Sequence, residues 1–165
     1  MAKVKASVRR DTEQRLRRLA RAATVFIDGD AFKGIPVRPE LNTGDDYAVD
    51  HEKFIAVKRT LLKLKRIDDG DIGVTTWRRW AEGQMEQVCP VDMHPLTVRP
   101  GNHPMSAAVA AAFEGQTAVQ ELDVRGFPVL SVCAPIRDSL EDVVGVVELF
   151  ASMVPDKFRA DTLNY

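Results

Sequence analysis

The chain has 165 residues, of which 45% are hydrophobic and 28% are charged, and its formal net charge at pH 7 is −1. This composition indicates one folded domain over residues 1–165 and excludes a disordered chain. The near-zero net charge argues against a protein whose whole surface binds nucleic acid.

The N-terminal segment is strongly basic. Residues 1–21 hold eight Lys or Arg against two acids, Asp11 and Glu13, so this segment carries +6 and the rest of the chain carries −7. A charged helix face of this kind is usually solvated, and an anionic partner or membrane surface is the alternative. Nucleic acid is the least favoured partner, because no aromatic residues alternate with the arginines.

A helix is predicted over residues 8–26. Leu16, Leu19, Ala20 and Ala23 recur at the spacing of one helix stripe, and Asp28-Gly29-Asp30 predicts the end of the helix. We interpret residues 1–27 as a basic arm that pairs with its twin in a homodimer through this stripe.

A second helix is predicted over residues 46–67, after a loop at 34–46. Its apolar side is formed by Phe54, Val57, Leu61 and Leu64, and lysines and arginines form the other side. The sequence Asp68-Asp69-Gly70-Asp71 is a stop signal.

Strand-like segments dominate residues 72–152. Five strands are predicted, at residues 72–80, 84–91, 117–123, 127–137 and 143–152. A Pro-rich loop at 92–105 and a short Ala-rich helix at 106–113, capped by Ser106, lie between the second and third strands. Tight turns between consecutive strands imply antiparallel pairing. The predicted fold is α+β, with two long helices preceding a five-stranded antiparallel sheet.

The last two strands are apolar on both faces, so both faces should be covered. Alternation places Leu130, Val132 and Ile136 on one face, with Ser131 and Cys133 on the other. Gly145, in the final strand, indicates either a close approach by another group or a β-bulge.

The segment GFPVLSVCAPIRDSLEDVVGVVELF (126–150) resembles the closing hairpin of PAS-like sensor domains of the Cache type. In those domains a strand ends in Pro-Ile, an Asp-containing turn follows, and a Val-Val-Gly-Val-Val strand closes the sheet. The preceding AFEGQTAVQELDVRG (112–126) resembles the family's helix, glycine and next strand. The turn at 138–142 departs from the family by lacking glycine. GAF domains share much of this hairpin and are the nearest alternative.

The resemblance implies a PAS/Cache-like sensor that binds a small molecule without catalysis and signals through its N-terminal helices, to a downstream signalling protein. The alternative function is an adaptor or scaffold that keeps the fold without a pocket and uses its basic helix for protein contact. No run of residues reaches the length of a bilayer span. We therefore expect a cytoplasmic location, or an extracytoplasmic one if the chain is a fragment of a membrane receptor.

The sequence TTWRRW supplies the first candidate ligand site. Trp77 and Arg79 share one face of a strand, where an arginine can bind a carboxylate and the ring can cover an apolar body. The alternative to ligand binding is a structural role, in which the aliphatic parts of the arginine side chains pack over tryptophan. The resemblance, in which ligands lie over the sheet beneath the loop and short helix, adds His94, Arg99, His103 and Ser131.

Glu148 lies inside an apolar strand and needs a partner if it is buried. That partner is either a ligand ammonium group or an arginine of the chain.

The sequence gives little support for a catalytic, metal-binding or phosphate-binding site. Ser131 and Cys133 lack the context of a catalytic nucleophile, and His94, His103 and Asp92 have no recognised metal-ligand spacing. No phosphate-binding glycine motif occurs. Cys89 and Cys133 are predicted to be buried free thiols. We predict no catalytic residue, no metal and no cofactor.

Overall fold

The computed structural model describes residues 4–36, 52–68, 71–92 and 102–154. The helices in these residues are α1 (Ala6–Phe26), α2 (Gly29–Lys33), α3 (Glu52–Ile67) and α4 (Ala107–Phe113). The strands are β1 (Gly73–Ala81), β2 (Gln84–Gln87), β3 (Asn102–Pro104), β4 (Ala118–Val124), β5 (Phe127–Arg137) and β6 (Val143–Ser152). None of the described helices is long and apolar enough to cross a lipid bilayer.

The strands form one antiparallel sheet of six strands in the order β3-β2-β1-β6-β5-β4. The predicted class, α+β with an antiparallel sheet, is confirmed, but the predicted number of five strands is wrong. The additional strand is β3, which lies inside the predicted loop 92–105. It spans only three residues, one of which is Pro104, and three residues are too few to show alternation.

Strand β2 is shorter than predicted, because it ends at Gln87 rather than near residue 91. The chain nevertheless stays beside β1, since Val88 N donates to Thr76 O at 3.1 Å and Val91 N donates to Val74 O at 3.2 Å. The predicted loop and helix residues 37–51, and loop residues 93–101, lie outside the described residues.

Helix α2 was not predicted. The Asp28 side chain accepts a hydrogen bond from Ala31 N at 3.1 Å and is therefore an N-cap. The Asp-Gly-Asp sequence thus ends α1 and also begins the next helix.

One face of the sheet carries the main core. The buried stripes of α1 and α3, which include Leu16, Leu19, Phe54 and Leu61, pack there against β1, β5 and β6. The β5 residues on this face are Leu130, Val132, Ala134 and Ile136, as the alternation predicted. The apolar stripe of α1 is therefore buried against the chain's own sheet.

Helix α3 runs antiparallel to the C-terminal half of α1. Arg15, in the middle of α1, forms a salt bridge of 3.0 Å with Asp68, just beyond the end of α3. At the other end, Lys53 lies beside Gly34, which follows α2. The two long helices therefore form one layer over the sheet.

Both interpretations of Gly145 hold. The β5–β6 register shifts between Ile136 and Arg137, which pair with Gly145 and Val143, so Val144 is the extra residue of a bulge. The Phe32 ring of α2 packs on Gly145, where an added Cβ would lie 2.2 Å from a ring carbon. Glycine here lets α2 approach the sheet.

We predict that Gly145→Ala destabilises the protein by about 1–3 kcal/mol, because the methyl group displaces the buried Phe32 ring. Phe32→Leu in the same chain should recover part of that loss. The matched control is Gly34→Ala, whose methyl group meets only the flexible end of Lys53. Urea unfolding measures all four chains, and equal stability of Gly145→Ala and wild type would contradict the packing.

Candidate functional site

The second face of the sheet carries a row of polar side chains, which we call the polar band. It consists of Gln87, Thr75, Glu148, Ser131 and Gln120, contributed by β2, β1, β6, β5 and β4 respectively. The strand register brings the row together, because Thr75 pairs with Glu148 across β1–β6 and Gln120 pairs with Ser131 across β4–β5. The band therefore crosses five neighbouring strands.

Glu148 is the centre of the polar band and is 1% exposed. Its Oε2 accepts a hydrogen bond of 2.7 Å from Trp77 Nε1. Its Oε1 accepts from Ser131 Oγ and, at 3.3 Å, from Gln120 Nε2. Three side chains from three strands thus satisfy one buried carboxyl group, as burial of such a group requires.

A second hydrogen bond extends the polar band toward β2. Gln87 Nε2 donates to Thr75 Oγ1 at 2.6 Å, and Thr75 is fully buried. Gln87 and Gln120 are half-buried, so the band reaches partial exposure at each end.

Apolar clusters lie on both sides of the polar band. The larger one packs β1, β2, β5 and β6 side chains against the short helix α4, and its buried members are Trp77, Met85, Ala108, Val109, Ala112, Phe113, Cys133 and Val146. The smaller one consists of Val124, Val129 and Phe150. This arrangement, apolar walls with a few convergent polar groups, is the usual composition of a small-molecule site.

Helix α4 covers the larger cluster and is built mainly of alanine. It begins at the predicted cap, since Ser106 Oγ accepts from Val109 N at 3.2 Å. Only Phe113 among its residues is large and buried. Few bulky contacts therefore hold α4 on the sheet.

Six of the seven predicted site residues fall into three groups. Trp77, Ser131 and Glu148 meet directly in the hydrogen-bond network. His103 lies at the edge strand and makes an edge-to-face contact with Trp77, with ring centroids 6.0 Å apart. His94 and Arg99 lie outside the described residues.

Arg79 shares the face of Trp77, as predicted, and lies at its exposed rim. Its guanidinium carbon is 5.0 Å from the centroid of the Phe113 ring, and its Nη2 is 3.6 Å from Glu114. Arg78 points to the opposite face, where it pairs with Glu86 at 2.8 Å and donates to Ile35 O. The two neighbouring arginines thus have different roles, and only Arg79 adjoins the candidate site.

Sequence reasoning missed Gln120 and Thr75. Gln120 shares one face of β4 with Ala118 and Leu122, so its face was readable, but its pairing with Ser131 depends on the register of β4 and β5. Two-residue periodicity alone does not give that register.

The nucleophilic side chains of the site are not poised for catalysis. Burial raises the pKa of the Cys133 thiol well above its ordinary value, and the charge of Glu148 raises it further. The thiol is therefore protonated at neutral pH. The Ser131 hydroxyl donates a hydrogen bond to Glu148, and its Oγ lies 3.9 Å from Cys133 Sγ. Cys89 and Cys133 are both buried and free.

A separate groove of about 420 Å³ lies at the far end of the β5–β6 hairpin, between α1, α2 and the turn. Several of its polar groups have partners in the chain: Asp30 accepts from Ser139, and Asp138 pairs with Lys33 at 3.1 Å. The Lys33 ammonium lowers the pKa of Asp138, and backbone N–H donors reinforce that effect against burial. These contacts anchor α2 to the hairpin.

No group of three or more metal-ligating side chains that could hold an ion occurs within residues 4–36, 52–68, 71–92 and 102–154.

No protein-family model matches the chain, and no curated protein matches it. Among solved structures, it is similar to the sensory domain of the Campylobacter jejuni chemoreceptor Tlp3 with isoleucine bound, at 10% identity and a TM-score of 0.45, covering 88% of this chain and 54% of that one. It is also similar to the ligand-binding domain of the Pseudomonas aeruginosa PAO1 amino acid chemoreceptor PctC in complex with GABA, at 18% identity and a TM-score of 0.40.

The match with PctC covers 86% of this chain and 64% of that one, and the chain spans about half the length of the Tlp3 domain. Both neighbours are parts of chemoreceptors. The Cache-type assignment of the chain stays a prediction.

We predict that Glu148→Leu destabilises the protein by about 2 kcal/mol or more, because the Trp77 and Gln120 donors lose a buried acceptor. Glu148→Gln keeps one acceptor oxygen and should cost less. Trp77→Phe combined with Glu148→Leu should cost less than the sum of the two changes.

Urea unfolding measures these differences. The control is Glu121→Leu, which removes an exposed carboxylate paired with Arg9 and should cost about 1 kcal/mol or less. Strict additivity of the Trp77 and Glu148 changes would contradict a direct interaction between these side chains.

Proposed function

We propose that the chain is a non-catalytic sensor domain that binds a small molecule at the polar band, beneath α4. The observation that carries this proposal is the row of hydrogen-bonding side chains from five strands on an otherwise apolar sheet face. Polar groups on such a face need partners. Among the described residues these groups hydrogen-bond to one another, and a ligand would exchange with part of that network.

The proposed ligand carries a carboxylate. Arg79 lies at the exposed rim of the face and offers the planar, bidentate donor pair that recognises carboxylates. Phe113 and Trp77 would cover the apolar body of the ligand, and Gln120 and His103 would contact its polar groups. His94 and Arg99 are proposed as further contacts.

The proposed signal passes through the sheet to the long helices. Strands β5 and β6 contact the candidate site on one face and α1 on the other, so a shift of these strands reaches α1 directly. A ligand changes the protein only through different affinities for two states. We propose that the second state differs in the packing of α4 and of the α1–α3 layer, and that a downstream signalling protein reads this difference.

The apolar stripe of α1 is buried against the sheet. A homodimer through α1 would therefore have to use the outer face of the helix. That outer face carries Arg10, Arg17 and Arg21, which would repel their counterparts in a second copy. The homodimer and the expected cytoplasmic location remain predictions.

The second candidate function is an adaptor without a ligand. The specific observation that favours it is the complete burial of the centre of the site, since Trp77 and Glu148 are 0% and 1% exposed and already hydrogen-bonded. In that case the polar band only fixes the register of the sheet.

A thermal-shift screen of the full chain against amino acids, organic acids, amines, purines and nucleotides separates the two functions. The sensor proposal predicts a carboxylate-bearing class that raises the melting temperature in proportion to the logarithm of its concentration. Arg79→Ala and Gln120→Ala should lose the shift. Arg125→Ala, at an exposed position in the β4–β5 turn, should keep it.

A panel without any stabilising compound would contradict the sensor proposal and favour the adaptor. A shift that Arg79→Ala and Gln120→Ala leave intact would place the binding site elsewhere.

A further inference from the structure

The two long helices concentrate positive charge on one side of the molecule. Helix α1 holds six arginines against two acids, and α3 holds six lysines or arginines against one acid, so the two helices together carry +9. Because the chain carries −1 in total, the remaining residues carry −10. The α1–α3 layer is thus a cationic face on an acidic body.

Six of the exposed cations of the two helices lie on two ridges. Arg10, Arg17 and Arg21 follow the outer side of α1, opposite its buried stripe, and Arg59, Lys63 and Arg66 follow the outer side of α3. All six are exposed. We call these six residues the basic ridges.

The basic ridges differ from the cations at the flanks of the helices. Flanking side chains anchor the helices to the rest of the chain: Arg9 pairs with Glu121, Arg15 with Asp68 and Lys65 with Asp92. On the ridges, Arg17 pairs with Glu13 at 2.9 Å. The other five ridge side chains make no hydrogen bond or ion pair with a described residue. Among the described residues these five charges are unpaired, so they can contact an anionic partner.

The shape of the layer favours a flat partner. Helix α1 is 21 residues long, or about 31 Å, and lies flat on the sheet along its buried stripe. The antiparallel α3 lies beside it, so neither helix projects as a nucleic-acid recognition helix would.

Exposed apolar side chains accompany the basic ridges. Val25 and Phe26, at the end of α1, are 74% and 63% exposed, and Leu62 and Ile67 of α3 are 39% and 61% exposed. Phosphates of a nucleic-acid backbone offer such side chains no partner. The boundary between lipid headgroups and acyl chains does, and anionic headgroups attract the cations.

We propose that the outer face of the α1–α3 layer binds an anionic lipid surface. The basic ridges contact the headgroups, and Val25 and Phe26 insert beside them. The acidic body faces away from the membrane, which leaves the opposite sheet face and α4 open to solutes.

The test is co-sedimentation of the full chain with vesicles of phosphatidylcholine alone or mixed with phosphatidylglycerol. Binding is expected only to the mixed vesicles, and should weaken steeply as salt rises from about 0.1 M to 0.5 M. Arg10, Arg21, Arg59 and Arg66 changed together to Gln should lower the partition coefficient about tenfold or more. Glutamine keeps helix propensity, and circular dichroism checks the fold of the variant.

The control variant lowers the net charge by the same amount as the ridge variant, but on other surfaces. Arg125→Glu, Gln84→Glu and Gln116→Glu together also lower the charge by four, at exposed positions outside the helix layer. This control should bind mixed vesicles nearly as well as wild type. A second pair tests insertion: Val25→Ser with Phe26→Ser should weaken binding, whereas Leu140→Ser, at the exposed hairpin tip, should not.

Two results would overturn the proposal. The first is no binding of the wild-type chain to mixed vesicles, whether or not it binds a DNA or RNA duplex at about 0.15 M salt. The second is equal loss of vesicle binding in the ridge variant and in its charge-matched control.

Discussion

The buried carboxyl group of Glu148 is the constraint on which the second face of the sheet depends. It lies in β6, near the middle of the sheet, where an isolated carboxyl group would be costly. Trp77 from β1, Ser131 from β5 and Gln120 from β4 donate to it, so one side chain links four strands. The orientation of Trp77, and with it the wall beneath α4, follows from this one acceptor.

The two faces of the sheet are built differently, and that difference separates their roles. The α1–α3 face is packed with large aliphatic side chains and is further fixed by the Phe32 ring on Gly145 and by the anchoring ion pairs. The opposite face has smaller apolar clusters separated by the polar band, under a seven-residue helix of mostly alanine. Because stability is unevenly distributed in proteins, the weakly held cover is where a conformational change is expected. The first face is the more extensively packed one, and the helix layer on it presents positive charge outward.

Much of this fold was predictable from periodicity and caps, and the remainder depends on register. Alternation placed Ile136 and Ser131 on opposite faces, and the Ser106 cap placed α4 correctly. Strand β3 was missed because three residues are too few for alternation, and α2 because Asp28 caps a helix that Gly29 begins. These two elements are short and are stabilised by their neighbours.

The candidate site was only partly predictable for a related reason. Burial of Glu148 within an apolar strand was a sequence signal, and it correctly implied a partner. The sequence did not identify the partners, because Trp77, Ser131 and Gln120 are far apart in the chain and meet only through the strand order. Among the described residues, the partners of Glu148 are an indole, a hydroxyl and an amide.

The most direct test of this account is hydrogen exchange of the two indole N–H groups, observed by NMR on the 15N-labelled chain. Trp80 is 48% exposed and serves as the internal reference for Trp77. The account predicts that the Trp77 indole proton exchanges about a hundredfold or more slowly than that of Trp80, and that Glu148→Leu removes most of this protection. Equal exchange of the two indoles in the wild-type chain would contradict a Trp77–Glu148 hydrogen bond at the centre of the site.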